Sequence, residues 1–330
     1  MPVVLDEVRF RSRPAELSAS DAPVLHVVMY HYVREFRRTA FPEIKGMEVD
    51  DFYNQVKRLR ERFEMATLES SLAFLAGVYQ PARHLCLLTF DDGLIEHVET
   101  VTPILAEQGV QGVFFLVTSC LEESRVAPVH MNHFLMARLG LEQYRNQFRE
   151  RLEQLAPELL PQLESGHTLE CVTYPWDVPE VARFKYFFNF VLDTVLRDRL
   201  VSELFTETFG SEQSFARALY LSWEQARIMQ QAGMTIGGHS HTHRPLATLA
   251  DAELQKDLDQ CRGLLNRRLN PQPMWPFSYP YGKKSSFTVS ATERLKELHF
   301  DCAFSTETGP NFPGTDLFQL RRMDCKNAPV

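Results

Sequence analysis

Short apolar runs, each followed by a stretch with helical periodicity, constrain this chain more than any other feature. Val24-Leu25-His26-Val27-Val28-Met29, Leu85-Cys86-Leu87-Leu88-Thr89-Phe90, Gly112 to Val117 and Met234-Thr235-Ile236 read as buried strands. Met274 to Tyr279, Asp301 to Ser305 and Leu317 to Met323 continue the series. Helical signals lie between most of them. Phe52, Val56, Leu59 and Phe63 share one helix face, with Asp50 or Asp51 as the expected cap. Ser222-Trp223-Glu224-Gln225 fits a capping box, and its helix ends near Gly233. Asp251 opens a helix with Leu254, Leu258, Cys261 and Leu265 on one face, and another helix is expected near Phe287 to Leu298. Gly109 closes the helix after the second strand. Such alternation implies parallel strands, in a barrel or an open sheet.

Between Leu121 and Leu219 the rhythm breaks. Charged helical stretches such as Leu141 to Leu155 appear, then an aromatic-rich one from Val181 to Phe209. Residues 121–219 are therefore expected to be a helical insertion rather than a second catalytic domain. The stripe Phe184, Phe187, Phe188, Val191 has helical spacing and asks to be buried, in a core or against a second copy.

Polar motifs follow the strands. Tyr30-His31, Asp91-Asp92, His239 with His243, and Tyr279-Pro280-Tyr281 each come directly after an apolar run, at the carboxyl end of a parallel sheet, where active sites are built. Two imidazoles four residues apart can meet on one side of a helical turn, about 6 Å apart at Cβ. With a carboxylate from elsewhere, Asp92 the candidate, they make a three-ligand site with a position left for water, as catalytic zinc requires. Asp91 beside it can take a proton from that water. His241, between the two ligands, should point away.

Composition narrows the classes. A formal charge of −8 with no basic block argues against nucleic acid as partner. The six cysteines are scattered, several within apolar runs, and read as reduced thiols of a cytoplasmic protein. Met1 to Asp21 has no apolar core of signal-peptide length, and no stretch is long enough for a transmembrane segment.

Thr89-Phe90-Asp91-Asp92-Gly93, His239-Ser240-His241-Thr242-His243 and Phe277-Ser278-Tyr279-Pro280-Tyr281-Gly282 resemble the three main motifs of the polysaccharide deacetylases, the NodB-homology group of carbohydrate esterase family 4. The Tyr-His-x-Val stretch at Tyr30 is similar to the subgroup holding exopolysaccharide N-deacetylases. The resemblance implies an α/β fold, a distorted (β/α)7-type barrel formed by residues 22–120 and 220–330 of a single domain. It implies one divalent metal ion, zinc first, held by Asp92, His239 and His243, with Asp91 as base. The Tyr281 N–H would serve as oxyanion donor, with Pro280 beside it as a substrate-binding residue. The reaction implied is removal of acetyl from an N-acetylated sugar in glycan or surface-polysaccharide biosynthesis, the sugar being nucleotide-linked, lipid-linked or oligomeric.

The sequence departs from that pattern in three places. Ser278 stands where many relatives carry an arginine that contacts the base, leaving Arg321 or Arg322 as substitutes. No histidine follows His299, so the late Leu-x-His motif that supplies the general acid is absent, and His31 is the candidate in its stead. The metal motifs also lie too far apart for one or two βα units, which the insertion explains. His130 and His133, at the start of that insertion, read as surface histidines or, alternatively, as lining of a substrate cleft, and His299 as a helix-end residue. Two other functions stay open: a carbohydrate-binding relative without activity, and a metal-dependent hydrolase of a non-sugar C–N bond. A homodimer through the insertion is also compatible with the stripe.

Overall fold

A computed structural model of the chain describes residues 22–165, 169–174 and 177–329; the expectation for Met1 to Asp21 lies outside them. Eight strands are present among the described residues: β1 (Leu25–Tyr30), β2 (Glu64–Met65), β3 (Leu85–Phe90), β4 (Gly112–Leu116), β5 (Thr235–Gly238), β6 (Pro276–Ser278), β7 (Cys302–Phe304) and β8 (Met323–Asp324). Seven form one sheet in the order β7-β6-β5-β4-β3-β1-β8, and the short β2 pairs with the start of β3. Every strand pair is parallel. A bridge from Phe304 to Leu320, with hydrogen bonds from Ala303 and Ser305 to the 317–320 segment, draws the two ends of the sheet together. The distorted barrel expected from the motifs is present, except that Leu317 to Leu320 serve as this seam and the strand proper starts at Met323.

Alternation along β3 shows why the strands read as unbroken apolar runs. Cys86, Leu88 and Phe90 face the helices, while Leu85 and Leu87 face the interior with Leu25, Val27, Val113, Phe115 and Phe304. The helical layer comprises α1 (Val49–Arg62), α2 (Leu68–Leu75), α3 (Thr102–Glu107) and, after β4, α4 (Thr118–Glu122). Asp50 and Asp51 sit in the first turn of α1 and do not cap it; Glu48 holds the N-cap position without a side-chain bond. Acidic residues there still favour the helix dipole.

Between β4 and β5 come α5 (Pro128–Leu155, broken at Gly140), α6 (Leu160–Ser165), α7 (Glu170–Thr173), α8 (Pro179–Tyr186), α9 (Thr194–Phe209) and α10 (Glu212–Leu219). The single helix read from Val181 to Phe209 is two, joined by a wide turn at Phe187–Val191. Phe184, Phe187 and Phe188 are buried in this segment's own core, which also takes in Tyr32, Phe36, Ile44 and Leu94 from the loops after β1 and β3. The aromatic stripe is thus covered within the chain. The outer layer ends with α11 (Trp223–Gln231), opened by the Ser222/Gln225 capping box, then α12 (Asp251–Arg268) and α13 (Val289–Glu297). His299 follows α13 with φ of +57°, exposed, in the left-handed position that ends many helices. Among the described residues, no helix is long and apolar enough to cross a membrane.

Candidate active site

Each motif residue leaves the carboxyl end of a strand: His31 after β1, Asp91 and Asp92 after β3, His239 after β5, Tyr281 after β6. They converge on a cleft of about 390 Å³ that is also lined by Tyr174, Lys283 and Thr306. Close approach of the strands makes this convergence achievable. A Cβ at Gly237 would stand 2.4 Å from the Pro276 carbonyl, so only glycine lets β5 lie so near β6.

Asp92, His239 and His243 are buried, and one ligand atom of each lies within 4.8 Å of the others. Asp92 Oδ1 is 3.5 Å from His239 Nε2 and 3.3 Å from His243 Nε2, and among the described residues it has no hydrogen-bond partner. His239 Nδ1 donates to the Ser278 carbonyl at 2.7 Å, which leaves the Nε2 lone pair turned toward that oxygen. Burial lowers the His239 pKa to about 4, so the ring is neutral near pH 7. An unpartnered carboxylate oxygen facing an imidazole lone pair in a buried site is a donor set that fits a divalent cation. The Asp92 carboxyl is pushed up by burial, but His130 and then His243 more than offset this, holding it well below the usual range.

The histidines do not share a helical turn. His241 N and Thr242 N donate to the carboxylate of Asp257 on α12, at 2.8 and 2.9 Å, and His243 N donates to Ser240 Oγ at 2.9 Å. These bonds wind residues 239–243 into a loop, because φ is +63° at Ser240 and +55° at His243. As expected, His241 points away, between Thr118 Oγ1 (3.0 Å) and Glu123 Oε1 (3.1 Å).

Asp91 is held by Arg322, the residue in the place of the missing motif arginine. Its Nη1 donates to Oδ1 and its Nη2 to Oδ2, each at 2.8 Å. The remaining donors go to the Ser305 carbonyl (2.9 Å), Thr89 Oγ1 (3.3 Å) and Ser278 Oγ (2.8 Å). Ser278 is small enough to admit this guanidinium, and its own hydroxyl donates to Asp91 at 3.3 Å. Burial raises the Asp91 carboxyl, and the Arg322 charge outweighs it, for a net downward shift. Arg321, the other substitute considered, does not reach Asp91.

His31 Nε2 lies 3.9 Å from Asp91 Oδ2 with its side chain 41% exposed, at the mouth of the cleft. Its carbonyl accepts a bond at 2.9 Å from the buried ring of His97, a residue the sequence did not single out. Tyr281 has φ of +63°, and among the described residues no acceptor takes its N–H. Gly282, at φ +62°, must be glycine because a Cβ would sit 2.6 Å from the Thr306 nitrogen. Pro280 is buried and does not line the cleft. The Tyr281 hydroxyl donates to Asn189 Oδ1 (2.8 Å), and Asn189 donates to the Tyr174 hydroxyl (2.8 Å).

His130 and His133 are not surface residues; both line the cleft, the alternative the sequence left open. His130 is buried with Nε2 3.1 Å from Asp92 Oδ2, and its Nδ1 meets the Tyr220 hydroxyl at 2.5 Å. His133 lies close by, its Nδ1 buried, and burial keeps it well below the usual histidine range. Periodicity gave no sign of this, because Pro128 opens a helix whose first turn faces the site rather than solvent.

Strand ends supplying paired aspartates, two histidines and an unengaged backbone N–H around one cleft define a hydrolase of the half-barrel α/β type. The family model for polysaccharide deacetylase matches residues 79–181 and 190–301, and the chain belongs to that family. Its fold is similar to the Streptococcus pyogenes deacetylase PplD in complex with acetate (TM-score 0.56, 14% identity, 92% of each chain covered). It is similar also to IcaB from Ammonifex degensii (0.55, 16%, 92% of each). A third likeness is the BpsB deacetylase domain from Bordetella bronchiseptica (0.53, 19%, 91% of this chain and 95% of that one). No curated protein sequence matches the chain.

Proposed function

We propose that the protein removes the N-acetyl group from an acetylated amino sugar during glycan or surface-polysaccharide biosynthesis. The observation that carries this reading is the pairing of a clamped, ionised Asp91 with the buried Asp92, His239 and His243 trio, whose one free carboxylate oxygen faces both rings. These three would hold one divalent ion, zinc in our reading, which when bound would acidify a water and polarise the acetyl carbonyl.

The chain's own residues do the rest. Asp91, kept ionised by Arg322, accepts the proton of the attacking water. The Tyr281 N–H donates to the oxyanion as it develops on the acetyl oxygen, and its turn is braced by Asn189 and Thr306. His31, at the cleft mouth, gives a proton to the departing amine nitrogen. Tyr174 and Tyr281 offer ring faces, and Lys283 and Thr306 offer donors, for sugar hydroxyls. Six free cysteines, five of them buried, suit a reducing cytoplasm.

The test is acetate release from a panel of nucleotide-linked, lipid-linked and polymeric N-acetyl sugars, with and without chelator. One class should be cleaved and chelation should abolish cleavage. A His239→Ala/His243→Ala protein that retained stoichiometric metal and full turnover would sink the assignment.

A further inference from the structure

The segment between β4 and β5 reaches the site through a buried hydrogen-bonded chain. Ala127 N donates to the Tyr220 hydroxyl at 3.1 Å, that hydroxyl lies 2.5 Å from His130 Nδ1, and His130 Nε2 lies 3.1 Å from Asp92 Oδ2. His130, Tyr220 and Asp92 are all at most 3% exposed. With Asp92 a carboxylate and the His130 ring in a single neutral tautomer, one placement of hydrogens satisfies the chain. Asp92 is ionised and only accepts, so His130 carries its hydrogen on Nε2. Nδ1 must then accept from Tyr220, whose oxygen accepts from Ala127.

This arrangement settles which oxygen of Asp92 is available. Oδ2 is engaged by His130, whereas Oδ1 has no partner and faces both imidazole nitrogens. Rotation about the last bond of an aspartate side chain is soft. Without a fixed donor on Oδ2 the carboxylate can turn, and Oδ1 loses its aim. His97 cannot substitute, since its Nε2 donates to the His31 carbonyl.

We propose that His130, anchored at Nδ1 by the Tyr220 hydroxyl, is a positioning residue that presents Asp92 to the metal through Oδ1 alone. The helices between β4 and β5 thereby govern how tightly the metal is held. The inference rests on Asp92, His239 and His243 being the metal ligands.

The experiment measures zinc affinity by competition with a chromophoric chelator, and the visible spectrum of the cobalt-loaded protein, on the full chain. Loss of an outer hydrogen bond to a ligand typically weakens metal binding about 10- to 100-fold, and that is expected for His130→Ala together with an altered cobalt spectrum. His130→Gln, whose amide can donate to Asp92, should recover most of the affinity. Tyr220→Phe keeps the packing but removes the anchor at Nδ1 that orients the ring, and should give an intermediate loss. Thermal unfolding of the metal-free variants monitors the fold. His130→Ala and Tyr220→Phe proteins with wild-type zinc affinity overturn the inference, whether or not they are less stable, provided that His239→Ala is weakened. If His239→Ala is unweakened too, the ligand assignment itself falls, and the inference with it.

Discussion

The guanidinium of Arg322 meets both oxygens of Asp91 at 2.8 Å, across 231 residues of chain. Both side chains are buried, and Arg322 also lies over the rings of Phe115 and Phe304. Its fork geometry fixes the carboxylate plane as well as its charge. The catalytic face and the seam of the barrel are therefore joined by one ion pair.

Arg322→Met should destabilise the protein by about 3–5 kcal/mol, because it leaves a buried carboxylate unpaired. Adding Asp91→Asn should restore part of that loss. Urea denaturation of the two single variants and the double checks this. Strict additivity would mean that the pair is not coupled.

Asp91 and Asp92 should part company on substitution. Asp91→Asn is expected to keep its metal and lose roughly 10²–10⁴ in kcat, the usual worth of a general base. Asp92→Asn should lose metal as well. Metal analysis of the two proteins, with turnover on the cleaved substrate, separates the roles; loss of metal from the Asp91 variant would show them to be exchanged.

His31→Ala should retain metal, fold normally and turn over more slowly, with one limb of the kcat/KM pH profile altered. A poorer leaving group should be hurt more than an activated one. Kinetics equal to wild type on both would reduce His31 to a lining residue.

His97 should make stability depend on pH. Its ring is buried against Phe90 and Phe114, donates to the His31 carbonyl, and has Asp91, Asp92 and His31 as its charged neighbours. Burial lowers its pKa from 6.5 to about 4. Between those values the unfolded chain takes a proton that the folded one refuses, so stability is intact above pH 6.5 and falls as pH drops toward 4. The total is roughly 3 kcal/mol. His97→Phe should remove its share of the slope in metal-free protein, with His239, His130 and His133 keeping theirs, measured by denaturant melts at pH 7, 6 and 5; a variant with the full wild-type slope would refute it.

The parts legible in the sequence were those set by local pattern. β3 announces itself as an apolar run that a parallel sheet buries on both faces, and its end delivers Asp91 and Asp92 wherever the helices lie. The Ser222 cap is equally local. What escaped depended on distance in sequence. No periodicity shows that an arginine crosses the barrel to Asp91; only the motif resemblance, with Ser278 in the arginine's place, pointed to Arg321 or Arg322, and the structure selects Arg322. His130 looked like a surface histidine because its partners, Asp92 and Tyr220, lie 38 and 90 positions away. The His239–His243 turn was misjudged as helical because spacing alone cannot reveal that Asp257 takes up its backbone N–H groups.

Among the described residues, six that are not glycine have positive φ, and four of them are Asp92, Ser240, His243 and Tyr281. Such conformations cost of order 1–3 kcal/mol each. A laboratory screen for heat resistance alone would therefore be drawn to these positions, since glycine or asparagine relaxes them. Its winners would be robust barrels with a dismantled cleft. Any stabilisation campaign on this scaffold has to score acetate release alongside survival, or it will select the two apart.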